Sequence, residues 1–331
     1  MTHQHIGSPE FVTDLVHVTF LTGLVVSYLF FRRRQISVGG SLAVGYLASS
    51  LYMPVNVVAT LLVAAAGYAL IRFVVLKLFL PTPRQIFAIG LAVGVLGGGA
   101  WFAVSSHLSE TPGRSLALVG VIVPGMLCNS LIKQGVARTL VPLAWMLPVV
   151  GVVGLAVTML TTVILPLSLA HWFTETDLLP QIVLLSALSV LFAVVVQEGT
   201  ARSWKLRTGG YVTAGVIVSA LTDLHYIVVL AVVTLVLVVF HTVYSRRVPL
   251  FGKDRFFLLC AQSFVVVMAV EFLAAGVWGV SFGGPQNVVF CVLPAIISND
   301  VVQYGWRRTS AGMGISLTGC VAVALPVMAW A

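Results

Sequence analysis

Charged residues are scarce in this chain. Of its 331 residues, 8% are charged and 59% are hydrophobic, and the mean hydropathy is +1.07. A globular protein of this length needs far more polar surface to stay in water. The composition therefore excludes a soluble domain and predicts an integral membrane protein. The net charge of +8 does not indicate nucleic-acid binding, because the basic residues stand in short clusters between apolar runs.

The motifs of phosphate and metal chemistry are also missing. No G-x-x-x-x-G-K-[ST] loop is present to cradle a nucleotide phosphate. The four cysteines lie inside apolar runs without metal-ligand spacing, and the seven histidines show no zinc-like pairing beyond His3 and His5. We therefore expect no metal, no cofactor and no catalytic site on this chain.

The apolar residues occur in long continuous runs, for instance at 57–79 and 226–240. Because these runs do not alternate with polar residues, they favour membrane helices over a β-barrel. We predict an all-α, polytopic membrane protein with about twelve apolar segments. The first helix is expected to stay in the membrane, because the basic run at 32–34 follows its apolar segment instead of preceding it.

The second half of the chain repeats the first without a gap, so that 113–139 returns in altered form at 283–309. A repeat of this kind makes each copy one structural unit. We predict two parallel membrane repeats, at 1–170 and 171–331, each with six apolar segments. The matched pairs are Gly39 and Gly209, Gly40 and Gly210, Gly45 and Gly215, Pro124 and Pro294, and Asn129 and Asn299.

A weaker symmetry lies within the first copy. The run GSLAVGYL at 40–47 matches the run GVIVPGML at 120–127. This match predicts that segments one to three echo segments four to six in inverted orientation, with short broken helices, as in many transporters. The segments 36–52 and 115–132 are short, which leaves open whether they span the membrane or re-enter it.

The basic residues indicate which side of the membrane is which. With six crossings per copy, every Lys and Arg except Arg114 falls on or near one side. The positive-inside rule assigns that side to the cytoplasm and places both termini outside.

The run GVIVPGMLCNSLIKQG at 120–135, together with VGYL at 44–47, resembles the family of capsule biosynthesis protein C, the polytopic membrane component of poly-γ-glutamate synthase. The resemblance covers most of copy one, and its motif is VPG-x-L-x-N-x-x-x-K-Q-G. Copy two departs from the motif, with Ala295 in place of the Gly, Gln303 in place of the Lys and Tyr304 in place of the Gln. Whether copy two is a second working unit or structural support stays open.

The resemblance implies a non-catalytic subunit in the bacterial cytoplasmic membrane. Its implied partners are an ATP-dependent amide ligase, which joins glutamates through their γ-carboxyls, and a membrane-anchored subunit that faces outward. The implied product is an anionic polymer, exported to form a capsule. The alternative is a stand-alone secondary transporter of a small anion, supported by the nested repeats and by Glu271. A scaffold without a conduit is the third possibility.

The candidate residues each allow two interpretations. The glycines and prolines either permit close helix packing or break helices so that backbone groups line a passage. The two Asn residues either form interhelical hydrogen bonds or face that passage, and the acid within a predicted span is a functional candidate by its depth alone. The passage or binding candidates are Gly39, Gly40, Gly45, Pro124, Gly125, Asn129, Glu271, Pro294 and Asn299.

Four basic residues follow the motif in the two copies, namely Lys133, Arg138, Arg307 and Arg308. They are either positive-inside anchors or a cytoplasmic basic rim that attracts the anionic polymer or an acidic ligase surface.

The predicted sidedness can be tested by cysteine labelling in a chain whose four native cysteines are changed to alanine. We expect Arg84→Cys and Lys253→Cys to react with a membrane-impermeant maleimide only after the cells are opened, because both positions fall on the cytoplasmic side. Glu110→Cys, on the outer side, should react in intact cells. Labelling of position 84 or 253 in intact cells would contradict this topology.

Overall fold

The computed structural model describes residues 9–78, 81–108, 117–164, 179–198, 204–221, 224–278 and 287–330. These residues are predominantly helical, and no strand occurs among them. Four of the described helices are long and apolar enough to cross a membrane, namely Phe11–Arg34, Pro54–Leu78, Val136–Thr162 and Tyr226–Ser245, and three shorter apolar helices accompany them. The prediction of an all-α, polytopic membrane protein is confirmed.

The described residues form twelve helices, six in each half of the chain. The first six are α1 (Pro9–Arg34), α2 (Ala43–Ser49), α3 (Pro54–Leu78, with a π-helical turn at Ile71–Val75), α4 (Pro83–Leu108), α5 (Ala117–Gln134) and α6 (Val136–Met159, continued by a π-helical turn). The second six are α7 (Leu179–Glu198), α8 (Thr213–Ser219), α9 (Leu224–Ser245), α10 (Gly252–Trp278), α11 (Asn287–Tyr304) and α12 (Trp306–Trp330). Helix α8 has the same bounds in copy two as helix α2 has in copy one, when the two copies are aligned. The same is true of helices α11 and α5.

The chain forms two compact units. One comprises Met1–Thr176 with Ser281–Val288, and the other comprises Asp177–Val280 with Val289–Ala331. These units are defined by contacts rather than by the duplication, so the repeat boundary between 170 and 171 stays a prediction.

Three pairs of neighbouring helices in the first unit run in opposite directions. Gly23 of α1 lies against Gly45 of α2, whereas Ser27, one turn further along α1, reaches back to Gly40 before α2. Helix α2 is therefore antiparallel to α1. Helices α1 and α6 are also antiparallel, as shown by the contacts of Thr19 with Gly154 and of Phe30 with Trp145. Helices α3 and α4 are antiparallel by the contacts of Asn56 with Trp101 and of Val63 with Gly97. These helix directions are the ones expected if each apolar segment crosses the membrane once.

The second segment of each copy is a broken helix. Helices α2 and α8 have seven residues each, and every residue of α2 is buried. A seven-residue helix is only about 10 Å long, whereas the hydrocarbon core of a bilayer is about 30 Å thick. The remainder of each segment is therefore non-helical backbone, at 35–42 and 205–212.

The fifth segment of each copy is not broken, in contrast to one of the two interpretations above. Helices α5 and α11 each run for 18 residues through Pro124 and Pro294. A proline removes one backbone hydrogen bond, and a membrane helix tolerates this loss where neighbouring helices cover it. Both prolines are buried, so packing holds each helix together at this point.

A single glycine joins the fifth helix to the sixth in each copy. Gly135 has φ +89° and ψ 160°, and Gly305 has φ +88°. The conformation of Gly135 is one that only glycine adopts without strain. The turn is fixed by the Thr139 hydroxyl, which donates to the Gly135 carbonyl at 3.0 Å.

We expect Gly135→Ala to destabilise the protein by about 2 kcal/mol, because a Cβ is strained in this backbone conformation. Space is not the cause, since nothing lies within 4 Å of where the Cβ would be. The measurement is the melting temperature of the purified chain in detergent. Gly314→Ala is the matched control, because Gly314 has equally open surroundings within helix α12, and its melting temperature should not fall. Equal melting temperatures for the two variants would show that the turn is not strained.

Candidate functional site

The glycine turn before α2 lies against the middle of α5. Gly39 and Gly40 have φ values of +66° and +80°, which lead the non-helical backbone into the short helix. A Cβ on Gly39 would meet Leu127 at 2.8 Å, and one on Gly40 would meet Met126 at 3.7 Å. The glycine turn of segment two therefore lies against Met126 and Leu127, which stand between the candidates Gly125 and Asn129 in segment five.

Neutral side chains bind the non-helical backbone in copy one. The Ser27 hydroxyl donates to the Gly40 carbonyl at 3.5 Å, and the Ser37 N–H donates to Gln134 Oε1 at 3.1 Å. The second of these bonds connects the beginning of the broken segment to the end of α5. All four partners are neutral.

Copy two holds the equivalent backbone with hydroxyl groups and a carboxylate. Backbone groups in lipid must be satisfied within the protein, and here side chains from three segments satisfy them. The hydrogen bonds run from Thr213 Oγ1 to the Gly209 carbonyl (2.6 Å), from Thr208 Oγ1 to the Gly210 carbonyl (2.8 Å), from Ser189 Oγ to the Tyr211 carbonyl (2.8 Å), and from the Gly209 N–H to the side chain of Asp300.

Arg207 connects this segment of copy two to α7 and α11. Its Nη1 donates to Gln197 Oε1 at 2.8 Å, and its Nη2 donates to the Tyr304 hydroxyl at 3.1 Å. The guanidinium carbon lies 4.1 Å from the centroid of the Tyr304 ring, a cation–π contact. In the alignment of the two copies, the pair Arg207 and Tyr304 corresponds to Ser37 and Gln134. The same two positions therefore meet in both copies, and only the pair in copy two includes a charged side chain.

The two candidate Asn residues have different surroundings. Arg255 of α10 donates through Nε to Asn299 Oδ1 at 3.1 Å and through Nη2 to Gln303 Oε1 at 3.2 Å. Position 85, the counterpart of Arg255, is a Gln whose Oε1 accepts from the Thr82 N–H. Asn129 Oδ1 is buried and has no hydrogen-bond partner among the described residues. Asn299 therefore bridges two helices, and Asn129 Oδ1 does not.

Other candidate glycines serve close packing. A Cβ on Gly45 would lie 2.8 Å from the Phe20 carbonyl of α1, and a Cβ on Gly125 would lie 2.8 Å from the Leu91 Cα of α4. Small residues permit such approach of helix backbones in membranes. The two interpretations of the glycines thus apply to different residues. Gly39 and Gly40 lie where a helix is broken, whereas Gly45 and Gly125 lie where two helices pack closely.

The basic rim is exposed in each unit, since the side chains of Lys133, Arg138, Arg307 and Arg308 are all solvent-accessible in the structure. Glu271 belongs to α10, but its side chain lies outside the part of the structure that is described. Among the described residues, no group of three or more His, Cys, Asp or Glu side chains could hold a metal ion.

Comparison with known proteins identifies the family of the chain. The family model described as Capsule biosynthesis CapC matches residues 22–140 and matches again at residues 191–310. The two stretches together cover more than two thirds of the chain, and their last residues are counterparts in the repeat. The chain belongs to this family. The prediction of a duplicated CapC unit agrees with the two matches.

Two curated CapC proteins are similar to this chain. The PGA biosynthesis protein CapC of Bacillus subtilis (strain 168) is 28% identical over 133 residues, which are 39% of this chain and 85% of that protein. The Capsule biosynthesis protein CapC of Bacillus anthracis is 27% identical over 134 residues, which are 39% of this chain and 86% of that protein. Each alignment has about the length of one CapC copy. No solved structure matches the chain.

Sequence reasoning missed the charged residues that meet in the second CapC copy. Arg207 and Arg255 counted only as positive-inside charges, and Asp300 was not a candidate. A signal was available in the alignment of the two copies, because these three residues stand opposite the neutral residues Ser37, Gln85 and Ser130. Only the structure shows that the three come from separate segments to one place.

The two Asn residues provide a matched pair of substitutions. We expect Asn299→Ala to cost about 1 to 2 kcal/mol of stability, because it leaves the guanidinium of Arg255 without one acceptor. Asn129→Ala should cost less, because Asn129 Oδ1 has no hydrogen bond to lose among the described residues. The measurement is the melting temperature of each variant in the same detergent. A larger effect of Asn129→Ala would contradict the assignment of these surroundings.

Proposed function

We propose that this chain is the non-catalytic integral membrane subunit of a complex that makes and exports poly-γ-glutamate, or a similar capsule polymer. The match of the CapC family model to both copies carries the proposal. One similar protein is named for PGA biosynthesis and the other for capsule biosynthesis. The all-helical fold with membrane-length apolar helices supports a role within the bilayer. The proposed location is the bacterial cytoplasmic membrane, with both termini outside.

The chemistry of polymer formation is assigned to a partner chain. Joining a carboxylate to an amine at the expense of ATP needs a site for the nucleotide phosphates, and the sequence contains no loop of the G-x-x-x-x-G-K-[ST] type. The proposed complex therefore includes an ATP-dependent amide ligase on the cytoplasmic side, together with a membrane-anchored subunit that faces outward. The ligase would be seated at the cytoplasmic loops.

The exposed basic rim suits this position. Lys133 and Arg138 flank the glycine turn between α5 and α6, and Arg307 and Arg308 follow the equivalent turn between α11 and α12. A chain of γ-linked glutamates carries one carboxylate per residue, so positive charge at the membrane surface would concentrate it. The attraction weakens as salt rises, because exposed charges are screened.

The broken segments are the proposed wall of the polymer passage. In each copy a largely buried seven-residue helix follows a stretch of non-helical backbone. Non-helical backbone at membrane depth is tolerated where it is buried in protein or lines a water-filled cavity. The turn at Gly39 and Gly40, which lies against α5 near Pro124, is the candidate lining of copy one.

Deletion of the chain in its native host tests the proposal. We expect surface polymer to fall below detection while the ligase is still produced, because the ligase then has no seat at the membrane and the polymer has no exit. Immunoblotting for the ligase and re-expression of the wild-type chain are the controls. Undiminished polymer in the deletion strain would contradict the proposed function.

The alternative of a stand-alone anion transporter predicts a different result in liposomes. A transporter reconstituted alone moves its solute down a gradient, whereas a subunit of a synthase complex does not. Uptake of labelled glutamate by liposomes that contain only this chain would favour the transporter.

A further inference from the structure

Copy two contains a polar cluster with no equivalent in copy one. We call it the two-arginine cluster, and its members are Arg207, His241, Arg255, Asn299, Asp300 and Gln303. They come from the non-helical segment before α8, from α9, from α10 and from α11. The residues at the same positions in copy one are Ser37, Ile71, Gln85, Asn129, Ser130 and Lys133. The cluster is therefore a property of one copy and not of the shared fold.

The cluster carries an excess of positive charge. Asp300 interacts electrostatically with both Arg207 and Arg255 and also accepts a hydrogen bond from the Gly209 N–H. One carboxylate and two guanidinium groups thus lie within electrostatic range of one another, and all three side chains are partly buried. A charge removed from water is costly unless an opposite charge compensates it. Counted over its own members, the cluster carries one more positive charge than negative charge.

The hydrogen bonds of Arg255 do not neutralise its charge. Its acceptors are the side-chain oxygens of Asn299 and Gln303, both of them neutral amides. These bonds fix the position of the guanidinium and leave it sharing a single carboxylate with Arg207. Guanidinium groups recognise carboxylates through charged hydrogen bonds, often two in parallel. Among the described residues, no carboxylate forms a hydrogen bond with Arg255, which is therefore held ready for one.

His241 provides a second, independent observation. Its side chain is only 7% exposed, and its Nδ1 is buried without a hydrogen-bond partner among the described residues. It lies close enough to Arg255 for an electrostatic interaction between the two side chains. A buried polar atom normally has a partner, and an imidazole N–H can donate to a carboxylate. The unpartnered Nδ1, which lies within electrostatic range of Arg255, supports an anionic ligand at the cluster.

We infer that the two-arginine cluster is a carboxylate-binding site, and that copy two is a working unit of the protein rather than structural support. The identity of the carboxylate as that of glutamate, either free or within a γ-linked chain, rests on the proposed function. Arg255 binds the carboxylate, while Asn299 and Gln303 position the guanidinium. Copy one has no such site, because its position 85 is a Gln.

Binding to the purified full-length chain tests this inference. The probes are free L-glutamate, a γ-linked glutamate trimer and purified poly-γ-glutamate, titrated by calorimetry with the chain in nanodiscs of neutral lipid. We expect Arg255→Gln, which introduces the residue of copy one, to weaken binding by about tenfold, the effect of one lost charged hydrogen bond. Arg247→Gln removes an equal charge from an exposed position in the α9 to α10 connection, and it should change the affinity less than about twofold.

A substitution that is expected to tighten binding separates an effect on binding from an effect on folding. Asp300→Asn keeps the shape of the side chain and an acceptor for the Gly209 N–H, but it removes the negative charge that competes with the ligand. We expect it to bind the carboxylate probe several-fold more tightly, because the ligand then faces two uncompensated guanidinium groups. A purely structural role of the cluster does not predict tighter binding from any substitution.

Each outcome bears on the inference separately from the proposed function. Binding of free glutamate alone assigns the site to a monomer, and binding only of the trimer and the polymer assigns it to the growing chain. Equal losses in Arg255→Gln and Arg247→Gln, or no binding of any probe by the wild-type chain, overturn the carboxylate site. If the deletion strain has lost its polymer and these variants bind normally, the site is wrong while the proposed function holds. If polymer persists in the deletion strain and the variants behave as expected, the carboxylate site holds while the proposed function is wrong.

Discussion

The structure depends on how each copy satisfies the backbone of its broken segment. Seven helical residues cover about a third of the hydrocarbon thickness, so the remaining N–H and C=O groups of that segment have no helical partners. In lipid these groups need partners from elsewhere in the protein. In copy one the partners are Ser27 and Gln134, and in copy two they include Thr208, Thr213 and Asp300. The helices around each segment are arranged so that these side chains reach it.

The same constraint has been met in two chemically different ways. In copy one the link between the broken segment and α5 is a bond between Ser37 and Gln134, which are both neutral. In copy two the corresponding link is Arg207 stacked on Tyr304, with a carboxylate close by. The second and fifth helices have equivalent bounds in the two copies, although the side chains that link them differ in charge. The charged partners of copy two hold the backbone and belong to the proposed anion site.

Much of the architecture follows from the sequence because the bilayer restricts the possible answers. Continuous apolar runs predicted the helices, and the recurrence of Asn129 as Asn299 predicted the duplication that the two CapC matches support. The short segment at Gly39 and Gly40 is a broken helix, as its glycines and length suggested. The interpretation of Pro124 and Pro294 as helix breaks was wrong. A proline alone does not end a helix whose neighbours are packed against it.

The sequence by itself determined the membrane class, the number of copies and the family, because composition, periodicity and repeated motifs are properties of the chain in one dimension. The tertiary structure alone decided which polar side chains meet. Arg255 lies 44 residues from Asn299, and Arg207 lies 97 residues from Tyr304. Such partners depend on the packing of helices that are distant along the chain. Packing also gives the two Asn residues different surroundings. Asn299 bridges two helices, whereas the side-chain oxygen of Asn129 has no partner among the described residues.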